Sequence, residues 1–215
     1  MDGHTLATTT HGRYLVESPA GAAAGLLCGF HGYKENAEVH LAVLRRIIGD
    51  RPWRLVSVQA LHPFYAKGGG VVANWMTSQD RELAISDNVA YVAGVLSAVD
   101  ATYGAAGPLV YAGFSQGVAM AYRAAASAAR ACAGLIVLAG DVPPDVVHLA
   151  GRLPPTLLGR GTDDAWYTAE KAAADYDVLT QAGVELIEHV FDGGHAWDDS
   201  FVVRAGAFLD TTAHA

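Results

Sequence analysis

Residues 108–117, PLVYAGFSQG, run from a short apolar segment into a Gly-x-Ser-x-Gly motif, and an alanine-rich segment follows over residues 118–129. This order predicts a strand, a sharp turn with Ser115 at its centre, and a helix. Such a turn holds its central residue in a sparsely populated conformation, and the glycines at 113 and 117 let the strand and the helix approach each other. We therefore expect the Ser115 hydroxyl above a sheet edge, beside a helix N-terminus that favours anions. A Gly/Ser loop without chemistry is the alternative interpretation.

Apolar runs and helical patterns alternate along the chain on both sides of this motif. The predicted strands cover residues 11–17, 26–30, 53–60, 109–114, 133–139, 156–159 and 184–191, and the predicted helices cover residues 36–48, 85–99, 118–129, 166–181 and 198–209. Most of the strands are continuous apolar runs, which is typical of a parallel sheet covered by helices on both faces. Residues 61–78 form a long segment that we expect to be irregular. No repeat or linker interrupts the alternation, so the sequence predicts a single α/β domain over residues 1–215, with its functional residues at the carboxyl ends of the strands.

The composition supports a folded domain and disfavours several classes of partner. Of the 215 residues, 52% are hydrophobic and 17% charged, which suits a sizeable core rather than disorder. The net charge is −8 and no basic patch occurs, so we do not expect a nucleic-acid partner. No run of about 18 apolar residues is present, so we expect no membrane span. Cys28 and Cys132 lie in apolar runs and read as buried hydrophobes, and the first ten residues lack a signal pattern, so we expect a cytoplasmic protein.

A serine nucleophile needs a base, and the histidines narrow the choice. Of nine histidines, His31 and His195 follow predicted strands and stand beside glycines. His195 comes after the last strand and after two glycines, whose backbone freedom lets an imidazole reach over the site. We expect His195 to be the general base, with a loop or capping histidine as the alternative. His31 is more consistent with shaping its own loop.

The base needs an orienting carboxylate, and two candidates follow the 156–159 strand. These are Asp163 and Asp164, and either gives the chain order Ser, Asp, His that α/β-hydrolases show. Periodicity does not decide between the two, and either could instead cap the following helix.

The developing oxyanion needs two donors. The backbone N–H of Gln116, directly after the serine, is one candidate. The second should come from the loop after an earlier strand, and we expect it to be the backbone N–H of Tyr33, with Gly32 allowing the main chain to approach. An ordinary His-Gly turn is the alternative there.

Four segments in order resemble one family. GFHGYKENAE (29–38), GFSQGVAMAYR (113–123), GRGTDDAWYT (159–168) and DGGHAW (192–197) together resemble the phospholipase/carboxylesterase group of α/β-hydrolases, which includes acyl-protein thioesterases. The segment NWMTSQDRELAISDNVAYV (74–92) does so as well, and the resemblance covers about residues 24–210. It implies an α/β-hydrolase fold with a mostly parallel central sheet and helices on both faces.

The resemblance also implies residue roles. It makes Ser115 the nucleophile and His195 the base of a serine esterase that needs no metal and no organic cofactor. The group's His-Gly-x-x-Asp pattern selects Asp164 over Asp163, although Arg160 stands where the histidine would be. Lys34 occupies a position where relatives often carry glycine, so the shape of the oxyanion loop is expected to differ.

A group of aromatic residues is expected to line the substrate pocket, because several lie in predicted loops at the carboxyl ends of the strands, although any one of them alone is more often a core residue. These residues are Phe64, Tyr65, Trp75, Phe114, Trp166 and Trp197, with Tyr167 beside them. No long insertion suggests a large lid. We therefore expect a carboxylesterase for small to medium acyl or aryl esters. An acyl-protein thioesterase or lysophospholipase is the alternative, and a non-catalytic ligand-binding member of the fold is a third interpretation.

Overall fold

The computed structural model describes residues 2–127 and 130–212, and these residues form a mostly parallel sheet between helices. The strands are β1 (Tyr14–Glu17), β2 (Gly25–Phe30), β3 (Trp53–Val58), β4 (His62–Tyr65), β5 (Val71–Asn74), β6 (Leu109–Phe114), β7 (Cys132–Leu138), β8 (Thr156–Gly161) and β9 (Leu186–Phe191). The helices are α1 (Ala37–Ile48), α2 (Arg81–Tyr103), α3 (Gln116–Ala126), α4 (Pro144–Val147), α5 (Ala169–Gln181) and α6 (Asp199–Thr212), with a 3-10 turn at Ala150–Arg152.

Seven strands make the main sheet, in the order β1-β3-β2-β6-β7-β8-β9. Only β1 pairs antiparallel with its neighbour, and the other pairs are parallel, so the prediction of a mostly parallel sheet is confirmed. The strand order reverses between β2 and β6, where Phe30 lies level with Gly113. Loops that leave two such strands diverge and open a crevice, which is where ligands bind in open α/β sheets.

Alternating side chains of the buried strands divide the core into two layers. Leu26, Cys28 and Phe30 of β2 pack in the layer that contains α2, α3 and α5, whereas Leu27 packs in the layer of α1 and α6. Both faces of β2 are therefore covered, which explains why its sequence is a continuous apolar run rather than an alternation.

The helix boundaries have local causes. Asn36 caps α1 by accepting a hydrogen bond from the Val39 N–H at 3.0 Å, and Gly49 ends the helix with a φ of 54°. Helix α5 begins at Ala169, three residues later than predicted, because the Asp164 carboxylate accepts the backbone N–H groups of residues 166 and 167 and holds them in a turn. Thr168 then caps the helix. The predicted end of α3 at residues 128–129 lies outside the described residues.

One expectation about a segment was wrong. Residues 61–78 are not irregular throughout, because β4 and β5 pair there as an antiparallel hairpin. Helix α2, over Arg81–Tyr103, is by length and hydropathy apolar enough to cross a membrane, although no such segment was expected. One face of α2 packs into the core through Val92, Val95 and Val99, so the helix covers one side of the sheet.

The carboxyl edge of the sheet carries only short additions within the described ranges. The hairpin β4–β5 and the four-residue helix α4 lie among the connections at this edge. No large lid covers the edge in residues 2–127 and 130–212, in agreement with the expectation from sequence.

Candidate active site

Ser115 sits on the predicted sharp turn between β6 and α3. Its φ of 52° and ψ of −118° lie in a backbone region that residues other than glycine rarely adopt. Its N–H donates to the Leu138 carbonyl of the neighbouring strand at 2.9 Å, which holds the turn against β7. A Cβ at position 117 would lie 2.0 Å from the Phe30 carbonyl oxygen, and one at position 113 would lie 2.7 Å from the Gly117 oxygen. The two motif glycines are therefore required by close backbone packing.

The Ser115 hydroxyl contacts His195, which comes from the opposite end of the chain. Oγ of Ser115 lies 2.7 Å from Nε2 of His195, and Nδ1 of His195 lies 2.8 Å from Oδ2 of Asp164. An ionised carboxylate only accepts hydrogen bonds, so Nδ1 carries the proton and Nε2 of the neutral ring accepts from the serine hydroxyl. The structure thus brings the three predicted side chains into one hydrogen-bonded chain.

The two candidate aspartates occupy different environments. The Asp164 side chain is fully buried, and its Oδ1 accepts the backbone N–H groups of Trp166 at 2.8 Å and Tyr167 at 2.9 Å. Its other oxygen faces His195, so one carboxylate holds the following turn and contacts the imidazole. Asp163 is exposed, and its backbone N–H donates to the Gly193 carbonyl at 2.8 Å. The contact with His195 therefore belongs to Asp164.

The loop that carries His195 rests on the end of β8. In addition to the Asp163 bond, the Thr162 N–H donates to the Phe191 carbonyl at 2.9 Å. A Cβ at Gly161 would lie 2.2 Å from the Gly193 carbonyl oxygen, so the two backbones touch. His195 is thus placed by backbone contacts as well as by its own hydrogen bonds.

Tyr33 and Gln116 both border the cavity beside Ser115. Among the described residues neither backbone N–H has an acceptor. Lys34 follows with a φ of 64°, a left-handed conformation that explains why glycine suits this position. Its N–H donates to the Ala73 carbonyl at 3.2 Å, and the Ala73 N–H donates to the Glu35 carbonyl at 2.8 Å. The loop after β2 is therefore fastened to β5.

His31 belongs to the framework of this loop and does not contact Ser115. Its Nδ1–H donates to the Gly32 carbonyl at 2.7 Å, and its Nε2 accepts the Ala60 N–H at 3.0 Å. Burial lowers the pKa of His31, which keeps the ring neutral for these two bonds. The expectation that His31 shapes the loop agrees with these contacts.

A cavity of about 910 Å³ opens beside Ser115 and His195. Small and apolar residues such as Ala119, Val142 and Pro143 form part of its wall, and Trp166 stands at the rim with 75% of its surface exposed. Four charged side chains also border it: Arg81, Asp141, Lys171 and Asp175.

Most of the aromatic residues expected in the pocket lie elsewhere, and only Trp166 borders the cavity. Trp75 was wrongly expected there: it is fully buried against Phe30 and donates its Nε1–H to the His31 carbonyl at 2.8 Å. Phe114 is also buried, and its ring packs against His195 at a centroid distance of 5.1 Å.

Tyr167 is also buried and does not border the cavity. The remaining three expected aromatics lie outside the cavity as well. Trp197 packs on Phe114 and also contacts the rings of His40 and Phe201. Phe64 packs against Tyr33, and Tyr65 is 78% exposed on the hairpin. None of these three borders the cavity. Phe64 and Tyr65 belong to β4 of the hairpin and Trp197 belongs to the loop after β9, so each of the three rings is held outside the cavity by its own segment.

The Gln116 side chain has a structural role that the sequence did not reveal. Its Oε1 accepts the Trp75 N–H at 3.0 Å, and its Nε2 donates to Asn74 Oδ1 at 2.8 Å and to the Met76 carbonyl at 2.9 Å. These bonds tie the start of α3 to the end of β5. The x position of a Gly-x-Ser-x-Gly motif carries no local signal for such a partner.

Asp175 was also missed. Its Oδ2 accepts the Val142 N–H and the Tyr167 hydroxyl, each at 3.0 Å, and burial raises the pKa of its carboxyl to about 6. It thereby joins α5 to the loop after β7, which forms one wall of the cavity.

Comparison with known proteins gives structural rather than sequence likeness. No family model and no curated protein matches this sequence. The structure resembles esterase PE8 with a TM-score of 0.72 and 25% identity, over 94% of this chain and 98% of that one. It resembles the Bacillus cereus carboxylesterase with a TM-score of 0.76 and 17% identity, over 94% of each chain. It resembles Zea mays acyl-protein thioesterase 2 with a TM-score of 0.73 and 19% identity, over 94% of this chain and all of that one.

Proposed function

We propose that this chain, which has the α/β-hydrolase fold of those esterases and thioesterases, is a serine carboxylesterase that acts through an acyl-enzyme on Ser115. The observation that carries the proposal is the hydrogen-bonded chain from Ser115 through His195 to Asp164, at 2.7 and 2.8 Å. It opens on a cavity of about 910 Å³, a size that suits a small-molecule ester.

In the acylation step, Ser115 Oγ attacks the ester carbonyl while Nε2 of His195 takes the hydroxyl proton. Asp164 holds Nδ1–H, so it fixes the tautomer in which Nε2 is the base, and it stabilises the imidazolium that forms. The imidazolium then gives its proton to the leaving alcohol. Water deacylates Ser115 by the same route, and no metal or organic cofactor takes part.

The oxyanion of each tetrahedral intermediate is assigned to the backbone N–H groups of Tyr33 and Gln116. Both residues border the cavity beside Ser115, and neither N–H has an acceptor among the described residues. Removal of one such donor costs about 2.7–4 kcal/mol of transition-state stabilisation in known enzymes. This pair of amides would therefore supply a large part of the rate.

The charges around the cavity favour small to medium acyl or aryl esters. Lys171 and Asp141 form an ion pair at 3.2 Å on its border, and Asp175 and Arg81 stand beside the same space. A long alkyl chain would desolvate these groups without replacing their hydrogen bonds. The likeness to an acyl-protein thioesterase keeps a thioesterase or lysophospholipase activity as the alternative. Esters and thioesters of matched two- and sixteen-carbon acyl groups separate the two functions.

A fluorophosphonate probe tests the proposal, because it labels only an activated serine. We expect stoichiometric labelling of the wild type and complete loss of labelling and ester hydrolysis in Ser115→Ala. Ser78→Ala is the matched control, since Ser78 borders the same cavity and should leave labelling unchanged. A folded wild type that is not labelled would support a non-catalytic binding protein instead.

We further propose that residues 1–215 act as a single domain in a reducing cytoplasm. Both cysteines are free, and burial raises the pKa of Cys132 to about 12, so its thiol stays protonated and unreactive.

A further inference from the structure

The turn that carries Tyr33 is closed by one acidic side chain, Glu35. Oε2 of Glu35 accepts the Gly32 N–H at 2.7 Å, and the Glu35 N–H donates to the Gly32 carbonyl at 3.2 Å. Both polar backbone groups of Gly32 are therefore held by the same residue. The turn cannot rotate about Gly32 without breaking a hydrogen bond to Glu35.

This closure matters because of peptide planarity. The carbonyl of Gly32 and the N–H of Tyr33 belong to one trans peptide unit, so they point in opposite directions. The Gly32 carbonyl accepts from His31 at 2.7 Å and from the Glu35 N–H, which fixes one side of that plane. The Tyr33 N–H lies on the opposite side of the same plane, so its direction is fixed as well. The Glu35 carboxylate holds the preceding peptide unit and keeps the Gly32 backbone from swinging.

The Glu35 carboxylate and the Phe114 ring both lie against the Cβ position of Gly32. A Cβ at Gly32 would lie 3.2 Å from Glu35 Oε2 and 2.9 Å from the Phe114 ring, whose other contacts include the His195 imidazole. Burial raises the pKa of Glu35, while the hydrogen bond from the Gly32 N–H lowers it. No step of the mechanism above uses this partly buried carboxylate.

We propose that Glu35 is a positioning residue for the oxyanion hole: its carboxylate holds the Gly32 N–H so that the next amide, the Tyr33 N–H, faces the oxyanion. This inference rests on the proposed function of Ser115 and adds a residue that does not touch substrate. The hydrogen bond performs the role, not the negative charge.

Three substitutions at position 35 separate the position of the hydrogen-bond acceptor from the negative charge. Glu35→Gln keeps an acceptor oxygen at the same distance and removes the charge. Glu35→Asp keeps the charge but withdraws the carboxylate by about 1.5 Å, one carbon–carbon bond. Glu35→Ala removes both. Glu38→Ala is the matched control, because Glu38 lies one turn further along, is exposed, and pairs with Arg13 on the surface.

The experiment measures kcat and KM on a short aryl ester, together with inhibition by a trifluoromethyl ketone, which forms an oxyanion on the serine. We expect Glu35→Ala and Glu35→Asp to lower kcat by about 10- to 100-fold with KM within about twofold, because the contact acts on the transition state. Their affinity for the ketone should weaken by a similar factor. Glu35→Gln and Glu38→Ala should stay within about threefold of the wild type.

The outcomes distinguish this inference from the proposed function. If Ser115→Ala abolishes turnover while Glu35→Asp and Glu35→Ala keep the wild-type kcat, the positioning role is wrong and the esterase remains. If kcat of Glu35→Gln falls as far as that of Glu35→Ala while Glu35→Asp stays active, the negative charge rather than the hydrogen bond supports turnover, and the inference is overturned. If Glu35→Ala does not fold, the Gln and Asp variants still give opposite results. A wild type without esterase activity overturns both proposals.

Discussion

Replacement of Gly161 by alanine should displace His195 without touching it. Gly161 ends β8, and a Cβ there would lie 2.2 Å from the Gly193 carbonyl oxygen and 2.5 Å from that of Gly194. Both atoms belong to the backbone of the loop that leads into His195, so neither can rotate away as a side chain would. The loop must therefore move as a whole.

The size of the movement follows from the contact. Real Cβ atoms essentially never approach within 3.0 Å, so the Gly193 oxygen must retreat by about 0.8 Å. If His195 follows, the 2.7 Å contact between its Nε2 and Ser115 Oγ lengthens to about 3.5 Å, beyond a good hydrogen bond. A misplacement of about 1 Å can lower a rate by about 100-fold, and we expect kcat/KM of Gly161→Ala to fall by about that factor.

The assay is hydrolysis of a short aryl ester, run beside thermal unfolding of each variant. Gly194→Ala is the matched control, because its Cβ would meet nothing within 4 Å although it directly precedes His195. The control should retain activity within about threefold. A folded Gly161→Ala variant as active as Gly194→Ala would refute the reasoning, and so would an equal loss in both.

Two further predictions concern stability. Burial raises the pKa of Asp175 from 3.8 to about 6, so the folded state keeps a proton that the unfolded chain releases, and stability should fall as the pH rises between these values by about 1.4 kcal/mol per pH unit. Asp175→Asn retains an acceptor for the Val142 N–H and should lack this decline in urea unfolding at pH 4 and pH 7, whereas parallel profiles for the two proteins would contradict the assignment. Asn36→Ala should lower the unfolding free energy by about 1 kcal/mol, since it removes the cap on the Val39 N–H at 3.0 Å. Thr168→Ala, whose cap bond is 3.4 Å long, should lose less in the same measurement, and a reversed order would count against the capping argument.

The position of Ser115 could be predicted because its constraint is local. A sharp turn from a strand into a helix needs glycines where backbones meet, and a Cβ at either motif glycine would lie less than 3 Å from a carbonyl oxygen. The parallel sheet was equally predictable, since strands buried on both faces must be apolar throughout. His195 was indicated by its glycines and by its place after the last strand.

The aromatic residues show where local reasoning ends. Trp75 and Phe114 are aromatic, as pocket residues often are, yet the hairpin and the β6 turn direct them into the core. Glu35 gave no signal at all, because its partner is a backbone N–H three residues earlier. A side chain's direction depends on the path of the backbone around it, which is settled only when distant segments pack.

The sequence by itself determined the order along the chain of the seven main-sheet strands and the five long helices, the strained serine turn, and the residue types available at the carboxyl edge of the sheet. The family resemblance favoured Asp164 over Asp163, but only the tertiary structure shows that Asp164 contacts His195. Only the tertiary structure decided that four charged side chains, and just one of the expected aromatic rings, border the cavity. The physical reason is that neighbouring residues point in different directions. Which one reaches a partner 31 residues away depends on how β8 and the loop after β9 fit together.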